Sequence, residues 1–281
     1  RDSLRPMMTD INTSSDTTNK RWSKHETRLA YLAIHDNPRR FLRWDVIQYT
    51  MFATRDAIKL ELAYLKSLPD WKSNWKPILE ESHVGHPPPY WRYPRSSGNL
   101  IHHAYNVAQF QEKTKMSVRD MDYIFEFGGG YGNTCRLIHD MGFTGTYVLY
   151  DLPGFSALQE FYLKSLGRKV LNPSSIHSGQ SGTLCISNLN LLESIIRINS
   201  KIPNSMFIAT WSLSETPLQY RETITSLISD FQTYLIASQS TYDEIDNIGF
   251  FQKWRESQPN VTWQSWQIEH LGRNFYMVGQ R

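Results

Sequence analysis

From Asp122 onward the chain alternates short apolar runs with helical spacings, and that alternation restricts the fold more than any other feature of the sequence. Tyr123–Phe127, Thr146–Tyr150, Thr183–Ile186, Met206–Thr210 and Thr233–Ala237 read as five strands, each too short for a helix and rich in β-branched or aromatic residues. Thr134–Met141, Phe155–Leu166, Leu191–Ile198 and Tyr220–Ser229 read as the helices between them. Strands joined through helices run parallel and are covered on both faces. The end of the chain departs from this pattern. Val261–His270 and Phe275–Gly279 are strand-like and are joined by Leu271-Gly272-Arg273-Asn274, which predicts an antiparallel hairpin. The expected fold class is α/β: a Rossmann-like sheet of five parallel strands plus a C-terminal antiparallel hairpin, preceded by an N-terminal helical region.

Between the first strand and the first helix lies Glu126-Phe127-Gly128-Gly129-Gly130-Tyr131-Gly132-Asn133. Glycines here let the backbone turn sharply and approach a ligand closely, and the helix N-terminus behind them offers unpaired N–H groups. A nucleotide-like ligand is implied, and such a turn serves dinucleotides and S-adenosylmethionine alike. Two carboxylates favour the second. Glu126 ends its strand where it can act on a cationic amino-acid group and would repel a pyrophosphate. Asp151 ends the next strand, placed to accept ribose hydroxyl hydrogen bonds. The competing structural roles are a solvated strand end for Glu126 and a helix cap for Asp151.

These segments, together with Tyr150-Asp151-Leu152-Pro153, Leu158–Leu163 and Ala209-Thr210-Trp211-Ser212-Leu213-Ser214-Glu215, resemble the sugar O-methyltransferase family of class I S-adenosylmethionine-dependent enzymes. The resemblance covers roughly residues 87–281. It implies a cofactor-binding methyltransferase domain over residues 122–281 and methyl transfer to a hydroxyl of a sugar or glycan. Glu126, Gly128, Gly130 and Gly132 would then shape the methionine pocket, Asp151 would hold the ribose and Leu152 would flank the adenine. Gly129, Tyr131, Asn133 and Pro153 belong to the same cofactor-binding set. Asn188 stands at the third strand's end, where the superfamily often has an acidic residue beside the adenine. Trp211 and Ser212 would border both cofactor and acceptor.

A sugar hydroxyl is a poor nucleophile near neutral pH, so a general base or a metal should help remove its proton. His102, His103 and Glu215 are the candidate bases. Adjacent helical positions diverge by about 100°, so at most one of the two histidines is expected to serve. Glu215-Thr216-Pro217 reads equally well as a helix start with a carboxylate on the dipole. Asp243, Glu244 and Asp246 form an acidic loop after the fifth strand, a candidate for Mg²⁺ but more simply a solvated turn. No zinc-type ligand spacing is present in the sequence. Candidate acceptor-binding residues are Tyr90, Trp91, Tyr93, Ser97 and Asn99, in and just after a Pro- and aromatic-rich loop, with Tyr242 and Trp254. Flat rings suit the apolar faces of sugars, though core packing explains many of the nine tryptophans.

The remaining organisation follows from composition. Residues 1–20 are Ser/Thr/Asn/Asp-rich and read as a disordered tail, and residues 21–82 as a helical region whose helices are broken at Asn37-Pro38 and end at Pro69. Residues 83–121 read as a loop and helix lining the cleft. A chain that starts at Arg1 reads as trimmed or as a piece of a longer polypeptide. With 30 basic and 27 acidic residues the net charge is +3, which gives no support to nucleic-acid binding through bulk charge. No apolar run approaches the length of a membrane span. Cys135 and Cys185 read as reduced core thiols, consistent with the cytoplasm. A homo-oligomer is left open. The alternatives are a class I methyltransferase with a small natural-product or lipid-like acceptor, an NAD-dependent oxidoreductase or epimerase, disfavoured by Glu126 and the hairpin, and a non-catalytic binding module that keeps the fold.

Overall fold

The computed structural model describes residues 4–9, 20–53, 55–172, 181–199 and 202–281. Helices α1 (Leu4–Thr9) and α2 (Lys20–His35) lead to a 3₁₀ turn (Pro38–Arg43), α3 (Asp45–Met51) and α4 (Arg55–Ser67). The break after α2 has a local cause: Pro38 cannot continue the helix, and the Asn37 side chain accepts from the Arg39 N–H at 3.1 Å. A π turn (Trp71–Trp75) and the short α5 (Lys76–Ile78) are followed by a small hairpin of β1 (Pro89–Tyr90) and β2 (Tyr93–Ser97), and then by α6 (Gly98–Thr114). Ser97 Oγ caps α6 by accepting from the Leu100 N–H at 3.1 Å.

The second half alternates as expected: β3 (Tyr123–Phe127), α7 (Asn133–Asp140), β4 (Thr146–Tyr150), α8 (Pro153–Ser165), β5 (Gly182–Ile186), α9 (Leu189–Asn199), β6 (Ser205–Thr210), α10 (Leu218–Leu227) and β7 (Thr233–Gln239). A two-residue pairing of β8 (Thr241–Tyr242) with β9 (Ile245–Asp246) precedes α11 (Asn247–Glu256), β10 (Thr262–Gln267) and β11 (Asn274–Gln280). The main sheet has seven strands in the order β10-β11-β7-β6-β3-β4-β5. β5, β4, β3, β6 and β7 are mutually parallel, while β11 runs antiparallel to both β7 and β10. This is the expected sheet of five parallel strands plus a C-terminal antiparallel hairpin, with the hairpin lying edgewise beside the fifth parallel strand.

The central strand β3 is buried at every position, so its alternate side chains feed two separate cores. Tyr123, Phe125 and Phe127 pack with Ile195, Ile224 and Trp254 of the helices on one face. Ile124, Leu149, Ile208 and Leu235 face the other side, where α6, α7 and α8 meet the N-terminal helices through Leu29, Phe41, Ile47 and Ile58. Glu126 belongs to this second side, which therefore carries the site. The expected loose tail differs in one respect: Leu4–Thr9 is a helix whose Leu4 and Met8 are buried against α2 and α8, because those two apolar side chains share one face of a short turn. Residues 1–3 and 10–19 of that tail lie outside the described residues. Cys135 and Cys185 are both free thiols. Among the described residues no helix is long and apolar enough to cross a membrane.

Candidate active site

The chain leaves β3 through a tight elbow at the C-terminal ends of the parallel strands. The Gly128 N–H donates to the Tyr150 carbonyl at 2.7 Å, and its φ of +71° is a conformation that side chains rarely adopt. A Cβ on Gly128 would lie 2.2 Å from Ser212 Cβ, so close approach as well as conformation requires glycine. Gly130, at φ +60°, points its N–H at Asp151 Oδ2 over 3.0 Å. The same carboxylate accepts from Gln159 Nε2 at 2.9 Å and from the Leu152 N–H at 2.8 Å. Burial pushes the Asp151 carboxyl up to about 8, against the pull of the Leu152 and Gly130 N–H groups and with a further push from Glu26 and Glu126. Glu126 accepts from Tyr147 OH at 2.7 Å, and burial raises it to about 7 although Tyr147 and Thr134 hold it back.

These groups share a cavity of about 420 Å³. Gly128, Gly129, Gly130, Tyr131, Glu126, Asp151 and Leu152 line it around the elbow, and Trp211, Ser212, Glu215, Asn99, His102 and His103 line it elsewhere. Trp211 holds φ +65°, a strained state for a bulky residue, fixed by its N–H to the Ala237 carbonyl and its Nε1–H to Asn274 Oδ1, both 2.7 Å. Ser212 Oγ donates to the Phe127 carbonyl and so ties the β6 loop to the elbow. The roof comes from the N-terminal region: Trp22 of α2, Thr50 and Met51 of α3, and Phe52 and Ala53 just after it. Trp22 Nε1–H donates to Glu215 Oε2 at 2.8 Å.

The three candidate bases sit in different surroundings. His103 Nδ1 meets Asn133 Nδ2 at 3.2 Å and Thr134 Oγ1 at 3.1 Å, and burial, reinforced by His102, pushes it down to about 3. Both Glu215 oxygens are engaged, with Gln239 Nε2 donating to Oε1 at 3.0 Å, and burial raises the carboxyl despite these donors. His102 Nδ1 lies 2.8 Å from Glu61 Oε1, and its ring is 5.1 Å from that of Trp211.

Several expected site residues have other work. Gly132 is the left-handed N-cap of α7 and Pro153 opens α8, while buried Asn133 bonds His103. None of these three is among the residues lining the cavity. Asn188 is exposed and caps α9, accepting from the Leu191 N–H at 3.0 Å. The Pro/aromatic loop does not line the cleft: Tyr93 packs on Trp71, Trp91 is 63% exposed under the Arg92 guanidinium, and Ser97 caps α6. Trp254 is a core residue against Tyr234 and Trp263. Tyr242 lies in the β8–β9 pairing beside Arg21, outside the cavity lining. Asp243 and Glu244 hold left-handed backbone at the tip of that hairpin, and Asp246 caps α11 through the Gly249 N–H at 3.1 Å. Among the described residues no group of three or more His, Cys, Asp or Glu is arranged to hold a metal ion. Sequence reasoning named none of the roof residues, nor Asn274, nor the Glu61–His270 pair behind His102. No local signal marks any of them.

No family model matches the chain, and no curated protein matches it. Among solved structures it is similar to the Methanococcus jannaschii fibrillarin pre-rRNA processing protein, at 12% identity over 59% of this chain and 68% of that one, with a TM-score of 0.41. It is similar to a SAM-dependent methyltransferase from Aquifex aeolicus, at 12% identity over 60% of this chain and 87% of that one, TM-score 0.40. The methyltransferase domain of bacterial CtHen1 is likewise similar, at 12% identity over 65% of this chain and 100% of that one, TM-score 0.43.

Proposed function

We propose that the chain is an S-adenosylmethionine-dependent methyltransferase whose acceptor is a hydroxyl of a sugar or glycan. One observation carries the reading: at the ends of the parallel strands the Gly128–Gly130 elbow is bonded to Asp151, with buried Glu126 beside it on the same cavity. The donor set suits the cofactor. Bare backbone faces the cavity at the elbow, since a Cβ on Gly130 would already meet Met51 Sδ at 3.1 Å. Asp151 would accept the ribose hydroxyls, Glu126 would face the cationic amino-acid end, and Leu152 and Phe155 would supply apolar walls for the adenine. When bound, S-adenosylmethionine supplies an electrophilic methyl group on a positively charged sulfur.

The protein's own part is to hold a hydroxyl in line with that methyl, exclude water and accept the proton. Trp211 offers a flat ring, and Asn99, Ser212 and Asn274 offer hydrogen-bonding groups in the same lining, a combination that suits a sugar. A flat hydroxylated small-molecule acceptor is the second reading, favoured by Trp22, Phe52, Phe155 and Leu271 in the lining. The cytoplasm, reducing and supplied with the cofactor, suits the two free thiols. Calorimetric titration with S-adenosylmethionine, S-adenosylhomocysteine and NAD, repeated on Asp151→Ala, is the direct test. Micromolar binding of the two adenosyl-sulfur ligands, lost in the variant, is expected, followed by label transfer from methyl-tritiated cofactor to members of a glycoside and phenol panel. Binding of NAD alone, or of none of the three, overturns the reading, and cofactor binding without transfer to any acceptor points to a non-catalytic module.

A further inference from the structure

Behind His102 lies a carboxylate with no route to the cavity of its own. Glu61 of α4 is fully buried, and its Oε1 takes contacts from two imidazoles: His102 Nδ1 of α6 at 2.8 Å and His270 Nε2 of the turn before β11 at 2.9 Å. Its other oxygen has no hydrogen-bond partner among the described residues. Burial pushes the Glu61 carboxyl up, and the two histidines outweigh it and hold it down at about 2. A carboxylate accepts only, so each ring must present an N–H to it: Nδ1–H from His102 and Nε2–H from His270. A neutral imidazole has one N–H. In its neutral form His102 is thereby left with a lone pair on Nε2, which makes no hydrogen bond within the described residues, and the residue lines the cavity.

We propose that Glu61 is a positioning residue which fixes His102 in the Nδ1–H tautomer, so that His102 Nε2 takes the acceptor hydroxyl's proton during methyl transfer. This rests on the proposed function. As the oxygen–methyl bond forms and the methyl–sulfur bond breaks, the hydroxyl proton passes to Nε2. The positive charge that leaves the sulfur reappears on the imidazolium, opposite Glu61. The other two candidates are poorer acceptors: His103 Nδ1 is taken by Asn133 and Thr134, and the Glu215 oxygens by Trp22 and Gln239.

His270 has a positioning part as well, because the turn that holds it continues into Leu271 and Asn274, which line the cavity, and Asn274 anchors Trp211. The ionisable groups around His102 are Glu61 from α4, His103 on its own helix, His270 with Glu269 from the turn, and Tyr105 against His270. Glu126, Asp151 and Glu215 stand on the same cavity.

Long-range ¹H–¹⁵N NMR of histidine-labelled protein, free and with S-adenosylhomocysteine, reads the tautomer without an acceptor. The expected spectrum of the neutral ring has a protonated Nδ1 and a bare Nε2 on His102. In Glu61→Gln, whose amide can donate to Nδ1, the proton of the neutral ring moves to Nε2. With an acceptor from the panel, His102→Gln should lower kcat by about 10²–10⁴-fold with the S-adenosylhomocysteine Kd within threefold of wild type. Glu61→Gln should lower kcat by about 10–100-fold while KM stays put. A wild-type His102 with its proton on Nε2 overturns the proposal, and so does a kcat within threefold of wild type in both variants. The wild-type spectrum needs no variant to fold. Failure to bind S-adenosylhomocysteine or to transfer methyl to any panel member instead overturns the functional reading, and the free-protein spectrum still decides the Glu61–His102 pairing.

Discussion

Cofactor binding should release protons, in an amount set by two buried carboxyls. Glu126 is raised to about 7 and Asp151 to about 8, both chiefly by burial. At pH 7 about half of Glu126 and about nine-tenths of Asp151 are therefore protonated, roughly 1.4 protons on the pair. A ligand that brings a cationic group to one and hydroxyl donors to the other favours both ionised forms. Binding at pH 7 is expected to expel about 1.4 protons, so log Kd should fall by about that amount per pH increment there. The number rises towards two near pH 6 and dwindles to about 0.1 by pH 9, where both groups are already ionised. Calorimetry of S-adenosylhomocysteine binding in phosphate and in Tris separates proton release from intrinsic heat, because the two buffers have very different ionisation enthalpies. Asp151→Asn should cut the release at pH 7 to about 0.5, the share of Glu126. A release within about 0.2 of zero at pH 7, with affinity flat from pH 6 to 9, would refute the assignment of these carboxyls to the cofactor.

The same two groups bear on stability: with folded-state values raised from 4.5 to about 7 and from 3.8 to about 8, their contribution is full below pH 4 and is lost as pH rises through 7 and 8. The melting temperature of the ligand-free protein should decline between pH 6 and 9, and the rise produced by S-adenosylhomocysteine should grow over that range. Gly128→Ala forces a Cβ to 2.2 Å from Ser212 Cβ at φ +71°, so S-adenosylhomocysteine binding should be lost by calorimetry, with destabilisation of several kcal/mol in urea. Fully buried Arg221 donates to Asn247 Oδ1 and to the Ser214 carbonyl at 2.8 Å, and to the Thr216 carbonyl at 3.0 Å. Arg221→Met orphans three acceptors around the Glu215 loop and should cost roughly 3–5 kcal/mol, about 10 °C in Tm by calorimetric scan.

The sheet was legible because buried parallel strands read as apolar runs with no polar alternation to confuse them, and β3, β4 and β6 fall within a residue of their expected bounds. That the elbow, Glu126 and Asp151 would be neighbours was legible for a related reason: they lie at strand ends, where topology alone brings them together. What failed was direction. Prolines and rings in residues 83–99 announced an ordered loop but not which surface it packs on, and the hairpin it forms lies against Trp71 and Lys66 rather than the cleft. Glu61 is the opposite case. A glutamate on an amphipathic helix reads as a solvated residue, and its partners lie 41 and 209 positions away, so only the packed structure shows that it is buried.

The boundary expected between a helical N-terminal region and a cofactor-binding domain is crossed by the site itself. Glu26 of α2 is buried and accepts the Gly154 N–H at the start of α8 at 2.8 Å, occupying a helix N-terminus that in a bare sheet domain would face solvent. Trp22, one turn earlier, packs on Phe155 and bonds Glu215, while Met51 closes over Gly130. Three segments of the parallel-sheet half, the elbow, the α8 start and the loop after β6, are each covered by a side chain from residues 20–53. Burial is what raises Asp151, Glu126 and Glu215, so the helices that complete the cavity also set the protonation of its acids. The N-terminal helices are thus a wall of the site, and they close a chamber that the sheet alone would leave open.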